Sequence, residues 1–315
     1  MRTLTVNRVT ELVDNIEKVI FGKRDVVKLC VTGLLARGHI LIEDLPGMGK
    51  TTLAQGLARS ISCTFNRIQF TSDMLPADIL GVSILNQKSS QFEFRTGPIF
   101  AHVVLADEVN RTPPKTQSAL LEAMSESQVS IDGKTHPLPN PFIVLATQNP
   151  IEYEGTYTLP ESQLDRFMLR LTMGYPGVAD ELHIMRRRDP KVALEQLQPV
   201  LDAGEVLELQ SQVADIIVDD SVARYMLDLI QATRDDEHVQ IGASPRASVS
   251  LFEACQARAL TDGRDFVTPD DVKAMAHPVL SHRLIVKSRG GNPAASARER
   301  SRVVDDILRR IPVPV

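Results

Sequence analysis

The stretch EDLPGMGKTT, residues 43–52, decides the fold because it lies between the apolar run HILIE and the helical pattern LAQGLARSI. A phosphate-binding loop reads Gly, four free positions, then Gly-Lys-Ser/Thr, and Asp44 holds the first Gly position here. Asp tolerates left-handed backbone, so Asp44 weakens the match to the pattern more than it weakens the chemistry. The alternative is a turn that contains Gly-Lys by chance.

In a phosphate-binding loop, backbone N–H groups and a lysine bind phosphates, and a Ser/Thr hydroxyl ligates Mg²⁺. Thr51 is therefore a candidate Mg²⁺ ligand as well as a loop residue. The candidate phosphate-binding residues are Pro46, Gly47, Met48, Gly49, Lys50, Thr51 and Thr52.

Composition places the chain among globular proteins. Its 315 residues are 43% hydrophobic and 24% charged, which predicts a substantial core and more than one domain. No stretch approaches the roughly 18 apolar residues of a membrane span, so we expect a cytoplasmic protein. The net charge of -5 argues against a nucleic-acid surface as the main function. Cys30, Cys63 and Cys255 lack metal-ligand spacing, and we expect buried thiols.

Two blocks of different periodicity follow one another along the chain. Over residues 1–176, short β-rich runs alternate with helical patterns, which predicts an α/β domain with a parallel sheet covered on both faces. Residues 177–315 read as helices without strands, so we expect a smaller all-α domain. Within it, KSRGGNPAASARERS is predicted to be a loop or linker before a short final helix, SRVVDDILRRI.

Two carboxylates end an apolar run in HVVLADE, residues 102–108. In a nucleotide-hydrolysing site, Asp107 would hold Mg²⁺ through water and Glu108 would polarise the attacking water. The alternative is a strand that ends in a solvated acidic turn.

A polar residue ends another apolar run in FIVLATQNP, where Asn149 follows the predicted strand. An amide there could orient water or a terminal phosphate. Asn before Pro is also a common turn opener, so a capping role is the alternative.

With these three motifs in order, the sequence resembles the AAA+ ATPases, and specifically the MoxR family. The resemblance extends from VIFG near residue 20 to HRL near residue 284, and it rests on EDLPGMGKTTLA, RIQFTSDMLPADILG, LADEVNRTPPKTQSALLEAMSESQVSIDG, ATQNPIEYEGTYTLPESQLDRF and GASPRASVSLFEACQARAL. It implies an AAA+ nucleotide-binding domain followed by a small helical lid. It also implies ATP and Mg²⁺ as cofactors and a ring, typically a hexamer, with ATP at the subunit junctions.

The resemblance also suggests roles for single residues. Ile20, Phe21 and Gly22 match the adenine-contacting positions. Arg166 in LDRF matches the arginine finger, which faces the γ-phosphate of the neighbouring subunit. Arg246 in GASPRA matches the second sensor, which acts within its own subunit or across the junction. For both arginines the alternative is a surface salt bridge, worth under about 1 kcal/mol.

Two stretches resemble the hairpin insertions of the same family subgroup. They are residues 81–98, with a polar turn at QKSS, and residues 128–142, which turn at Asp132-Gly133. Exposed hairpins could contact a partner or could have no binding role.

The family is described as chaperone-like, often with a partner that carries a von Willebrand factor A domain. The client protein cannot be read from the sequence. One alternative function is a DNA motor related to replicative helicases, although 4% aromatic residues and no Trp are poor material for stacking bases. Another is a slow regulator controlled by nucleotide binding.

Overall fold

The computed structural model describes residues 2–88, 90–149, 155–186, 190–287 and 293–314. In chain order its helices are α1 (Arg2–Glu17), α2 (Arg24–Leu35), α3 (Lys50–Ser60), α4 (Pro76–Leu80), α5 (Pro114–Glu126), α6 (Glu161–Leu164), α7 (Val178–Arg186), α8 (Pro190–Glu195), α9 (Ala203–Val213), α10 (Asp220–Asp235), α11 (Pro245–Thr261), α12 (Pro269–Leu280) and α13 (Pro293–Arg310). Among the described residues, no helix combines the length and apolar character needed to cross a bilayer.

The strands form one parallel sheet and three antiparallel pairs. They are β1 (Ile40–Glu43), β2 (Phe65–Gln69), β3 (Gly81–Asn86), β4 (Gln91–Thr96), β5 (Val103–Asp107), β6 (Gln128–Ile131), β7 (Lys134–Pro137), β8 (Ile143–Gln148), β9 (Leu169–Leu171), β10 (Val239–Ile241) and β11 (Ile285–Val286). The five-stranded sheet has the order β2-β5-β8-β1-β9, and all of its neighbours are parallel. The predicted parallel sheet is confirmed.

Side chains of the central strands alternate between two cores, one on each face of the sheet. Ile40 and Ile42 pack into the larger core with α1, α2, α3 and the lid helices, whereas Leu41 packs into the core beneath α4 and α5. Both faces are therefore covered by helices. This explains why the strands read as unbroken apolar runs in the sequence.

Both predicted hairpins are present. β3 pairs with β4 through residues 81–96, and the predicted turn at QKSS includes Ser89, which lies outside the described residues. β6 pairs with β7, and Asp132 and Gly133 between them both have positive φ, at 49° and 74°. Two left-handed residues in a two-residue loop match the twist of the flanking strands, so the predicted turn chemistry is correct.

The second block is helical, with two differences from the sequence expectation. β10 and β11 form a short antiparallel pair there. The final helix α13 begins at Pro293, inside the segment predicted to be a linker. The division at residue 176 stays a prediction.

The expected burial of the cysteines holds for Cys30 and Cys255, whereas Cys63 is only partly buried. Burial raises the pKa of the Cys30 thiol to about 12 and that of the Cys63 thiol to about 11. Neither thiol is therefore a thiolate at neutral pH.

Candidate nucleotide-binding site

The predicted phosphate loop connects β1 to α3 at the carboxyl edge of the sheet. Gly47 and Gly49 have φ of 81° and 90°, a left-handed conformation that glycine adopts without strain. Gly49 is followed directly by Lys50, the first residue of α3, so the loop ends at a helix N-terminus. This arrangement directs backbone N–H groups toward an anion.

Asp44 has a different role from the one its sequence position suggested. It is not among the described residues with positive φ, so tolerance of left-handed backbone is the wrong reason for its presence. Its buried carboxylate accepts hydrogen bonds from the backbone N of Leu45 at 2.7 Å and of Gly174 at 2.6 Å. Asp44 thus connects the loop to the segment that follows β9.

The Lys50 ammonium group folds back onto the loop. Its Nζ donates to the carbonyl oxygens of Asp44 at 2.8 Å and Leu45 at 3.2 Å. Burial lowers the pKa of Lys50, and the negative charges of Asp107 and Glu108 oppose this shift. The lysine therefore lies in the field of Asp107, the predicted Mg²⁺ ligand, and of Glu108, the predicted catalytic residue.

Asp107 ends β5 with its carboxylate held on both oxygens. Oδ1 accepts from the Thr147 hydroxyl at 2.6 Å, and Oδ2 accepts from Nε and Nη2 of Arg67 at 3.1 and 2.5 Å. Thr147 lies on the neighbouring strand β8 and Arg67 on β2, so both adjacent strands fix this side chain. Asp107 is only 8% exposed, so the alternative of a solvated acidic turn does not apply to it.

Glu108 follows in a left-handed conformation with φ of 59°. Its backbone N donates to the Thr147 hydroxyl at 2.9 Å, and its Oε2 accepts from Nε2 of Gln69 at 2.7 Å. Nε of Arg111 lies 3.2 Å from the same Oε2. A non-glycine residue in this conformation costs about 1 kcal/mol or more, and such residues cluster at functional sites.

The oxygen donors at this edge fit a Mg²⁺ ion. Mg²⁺ prefers one or two protein oxygens together with water and phosphate oxygens. Asp107 offers a carboxylate, and Thr51 offers a hydroxyl from the first turn of α3. Asn149 follows β8 at the same edge and is buried. Its neighbour Pro150 and the next residues of that motif, 151–154, lie outside the described residues.

The predicted adenine-contacting residues lie beside the loop. A β-carbon placed on Gly49 would lie 3.6 Å from Cδ1 of Ile20. The ring of Phe21 lies 4.6 Å from that of His183, in α7. Gly22 has φ of 64°, and a β-carbon there would come within 2.0 Å of the Asp180 carboxylate, also in α7. Residues 20–22 thus lie between the phosphate loop and the first helix of the second block.

Arg166 and Arg246 lie elsewhere, in a cleft of about 560 Å³ whose lining includes no residue of the phosphate loop. Arg166 precedes β9, and its Nη1 donates to the Leu121 carbonyl at 2.7 Å and to Ser125 Oγ at 2.8 Å. Arg246 lies in the first turn of α11. Neither arginine forms an ion pair with a described residue, which argues against the surface salt bridge for both.

The cleft lies at the amino edge of the sheet, which we call the arginine cleft. It is lined by Gly38 and His39, just before β1, and by Phe142, just before β8. The phosphate loop and Asp107 follow the carboxyl ends of strands instead. One molecule therefore carries the loop and the two arginines at opposite edges of its sheet.

Sequence reasoning did not identify Arg67, Gln69 and Thr147 as site residues. Arg67 and Gln69 alternate along the edge strand β2, and Arg67 Nη2 also donates to Gln69 Oε1 at 2.9 Å. Their spacing of two residues placed both side chains on one face of a predicted strand. The missing information was that β2 pairs with β5, which carries Asp107.

Comparisons with known proteins identify the family of this chain. The family model described as "ATPase family associated with various cellular activities (AAA)" matches residues 39–169, and the "AAA lid domain" model matches residues 231–311. The chain is 42% identical to chaperone MoxR1 of Mycobacterium tuberculosis over 89% of this chain and 76% of that protein. It is 48% identical to the uncharacterized protein YeaC of Bacillus subtilis, over 96% and 94%.

A solved structure is also similar over the full chain. The crystal structure of a candidate ATPase from Cytophaga hutchinsonii matches with a TM-score of 0.90 and 38% identity, and covers 100% of this chain and 97% of that one. The fold, the phosphate loop and these matches together define an AAA+ ATPase. The chain belongs to the MoxR family, so the resemblance seen in the sequence is confirmed.

Proposed function

We propose that the protein is a ring-forming enzyme that hydrolyses ATP at the junctions between its subunits. The observation that supports this most is the separation of the phosphate loop from Arg166 and Arg246. β1 alone has four residues and spans about 13 Å between the two edges of the sheet. An arginine at the amino edge cannot contact a phosphate at the carboxyl edge of its own sheet. It can do so in a neighbouring copy stacked head to tail.

Within one subunit, the loop residues bind and orient the nucleotide. Lys50 and the loop N–H groups bind the β- and γ-phosphates, and Ile20, Phe21 and Gly22 contact the adenine. Thr51 and Asp107 hold Mg²⁺, which neutralises charge on the phosphates when bound.

The remaining residues act on the attacking water and on the charge that develops. Glu108 accepts a hydrogen bond from the water and polarises it, and Asn149 positions the water or the γ-phosphate. Arg166 and Arg246 of the next subunit stabilise the negative charge that increases in the transition state. Both arginines thus act across the junction.

We further propose that hydrolysis drives chaperone-like remodelling of other proteins in the cytoplasm. One relative is named a chaperone. The resemblance to the family adds the expectation of a partner with a von Willebrand factor A domain. The β3–β4 hairpin exposes Val82, Ile84, Leu85 and Phe92, with 71% of Phe92 exposed. Apolar side chains exposed along a hairpin are suited to contact a partner.

Of the alternatives, the DNA motor is the less favoured. The chain is acidic overall and poor in aromatic residues, whereas a motor on single strands needs a basic groove and stacking side chains. Titration with single-stranded DNA separates the two functions. A motor would bind DNA with strong salt dependence and would show DNA-stimulated ATPase, and we expect neither.

The shared site is tested by mixing two inactive variants. Arg166→Ala should bind ATP nearly normally and hydrolyse it poorly, because the arginine acts mainly on the transition state. Glu108→Gln should also hydrolyse ATP poorly, because it lacks the carboxylate that the ATP-binding subunit supplies to the junction. After subunit exchange, some junctions combine an intact Glu108 with an intact Arg166, and ATPase activity should exceed that of either variant alone. Demonstrated exchange without recovery at several ratios would rule out the trans assignment.

A further inference from the structure

A third arginine lines the arginine cleft beside the two predicted ones. Arg37 lies between α2 and β1, and Arg166 lies before β9. Ile40 of β1 pairs with Leu169 of β9, so each arginine precedes the paired position by three residues. The two arginines therefore lie at the same height along the amino edge of the sheet, each just before one of two neighbouring strands.

The backbone of Arg37 is unusual for an arginine. It follows the C-terminus of α2 with φ of 54°, its N–H bonds the Leu34 carbonyl at 3.1 Å, and the Gly38 N–H bonds the Gly33 carbonyl at 2.8 Å. This is the helix-ending motif in which glycine is preferred at the left-handed position. Arginine at this position costs backbone free energy that glycine would not, and strained residues of this kind cluster at functional sites.

The guanidinium group of Arg37 is available for an external anion. Arg37 is exposed, and no described residue forms a hydrogen bond or an ion pair with that group. Glu253 is one of the two acidic residues that line the same cleft. Partial burial raises the pKa of Glu253, and the positive charge of Arg37 opposes that shift.

The other acidic group of the cleft is already neutralised. Asp165 pairs with Arg283 at 2.8 Å and accepts from the Ser244 hydroxyl at 2.9 Å. His39 is buried and uncharged at neutral pH, because desolvation lowers its pKa to about 4. The cleft therefore presents three arginine side chains against one open carboxyl, a balance that suits a polyanion.

We propose that Arg37 contacts the triphosphate of the nucleotide held by the neighbouring subunit, together with Arg166 and Arg246. This inference rests on the proposed function, since it requires ATP at a junction. The three arginines come from separate segments: the turn before β1, the turn before β9 and the first turn of α11. A triphosphate held by the phosphate loop of the next subunit and bound among these arginines would contact both the sheet and the lid helix of this subunit.

The test compares two glycine substitutions that relieve the same backbone strain. Arg37→Gly places glycine at the left-handed position, so the melting temperature should rise by about 2–4 °C. Because the same change removes the cation, ATPase activity should fall by about 10-fold to 100-fold. Ser62→Gly is the matched control. Ser62 follows α3 in the same helix-ending motif with φ of 50°, does not line the cleft and carries no charge, and we expect its ATPase activity to equal that of the wild type.

Two further readouts separate a phosphate contact from a structural role. Binding of a fluorescent ATP analogue should weaken in Arg37→Gly at protein concentrations where the subunits assemble and should equal wild type in dilute protomers. Arg37→Lys, which keeps a cation, should recover part of the activity. Mixing Arg37→Gly with Glu108→Gln should restore activity in the same way as Arg166→Ala, because both arginines act on the next subunit.

The outcomes distinguish this inference from the proposed function. If Arg166→Ala behaves as a trans-acting variant but Arg37→Gly is as active as Ser62→Gly, the assignment of Arg37 is wrong and the ring mechanism stands. If Arg37→Gly loses activity without recovery on mixing, Arg37 acts within its own subunit and the inference is also wrong. If wild-type protein neither assembles nor needs Arg166, both proposals fail together.

Discussion

Gln69 Nε2 donates a 2.7 Å hydrogen bond to Oε2 of Glu108, so the edge strand β2 holds the carboxylate that is proposed to polarise water. Nε of Arg111 lies 3.2 Å from the same oxygen, so two side chains restrain the position of the Glu108 carboxylate.

Gln69→Ala should release Glu108 and raise the basal ATPase rate several-fold. ATP affinity should stay unchanged, because Gln69 contacts neither the phosphate loop nor residues 20–22 in the described structure. Single-turnover ATP cleavage measures the rate, and Gln128→Ala, at an exposed strand position, is the control. A lower rate would mean that Gln69 holds Glu108 in its productive position.

Lys50→Ala should abolish tight ATP binding and leave the fold intact. The Lys50 ammonium group bonds only two loop carbonyls in the described structure, so its loss should change the free energy of unfolding by no more than about 1 kcal/mol. Calorimetric titration with ATP and chemical denaturation measure the two effects. Lys273→Ala on α12 is the control, and wild-type affinity in Lys50→Ala would overturn the phosphate-loop assignment.

Asp44→Gly should destabilise the protein although it improves the match to the phosphate-loop pattern. The change leaves the backbone N–H groups of Leu45 and Gly174 without their charged acceptor, which should cost about 2 kcal/mol in the free energy of unfolding. Asp44→Asn keeps one acceptor oxygen and should cost less. Urea denaturation of both variants measures the difference, and equal stability of Asp44→Gly and wild type would show that these bonds are unimportant.

ATP should shift the protein toward a larger particle. A ligand that contacts two subunits binds the assembly more tightly than the single chain, so it stabilises the assembly by mass action. Glu108→Gln is the best form for light scattering, because it should bind ATP and hydrolyse it slowly. Arg166→Ala should shift less at the same ATP concentration. A particle of constant monomeric mass, with and without ATP, would contradict the ring model.

The sequence predicted the elements whose signals are local. β1, β5 and β8 are buried on both faces and appear as continuous apolar runs, and the polar residues after them mark the carboxyl edge. Asp132 and Gly133 fix a hairpin turn by their own backbone preferences.

Features that depend on distant contacts could not be predicted. The role of Asp44 depends on Gly174, 130 positions along the chain, and the role of Arg67 depends on the pairing of β2 with β5. β10 and β11 have three and two residues, too few for a periodic signal. α13 begins in a polar segment whose Gly and Pro residues favoured a linker.

The opposite positions of the phosphate loop and the arginine cleft mean that each copy in the proposed ring serves two different nucleotides. A Lys50→Ala copy would lose its own nucleotide and still supply arginines to the next copy, so ATP hydrolysis would be lost at one junction. A copy that also carries Arg166→Ala would abolish hydrolysis at two junctions. In mixtures with wild type whose junctions fire independently, activity should therefore fall in proportion to the fraction of single variants, and about twice as steeply at first for the double variant.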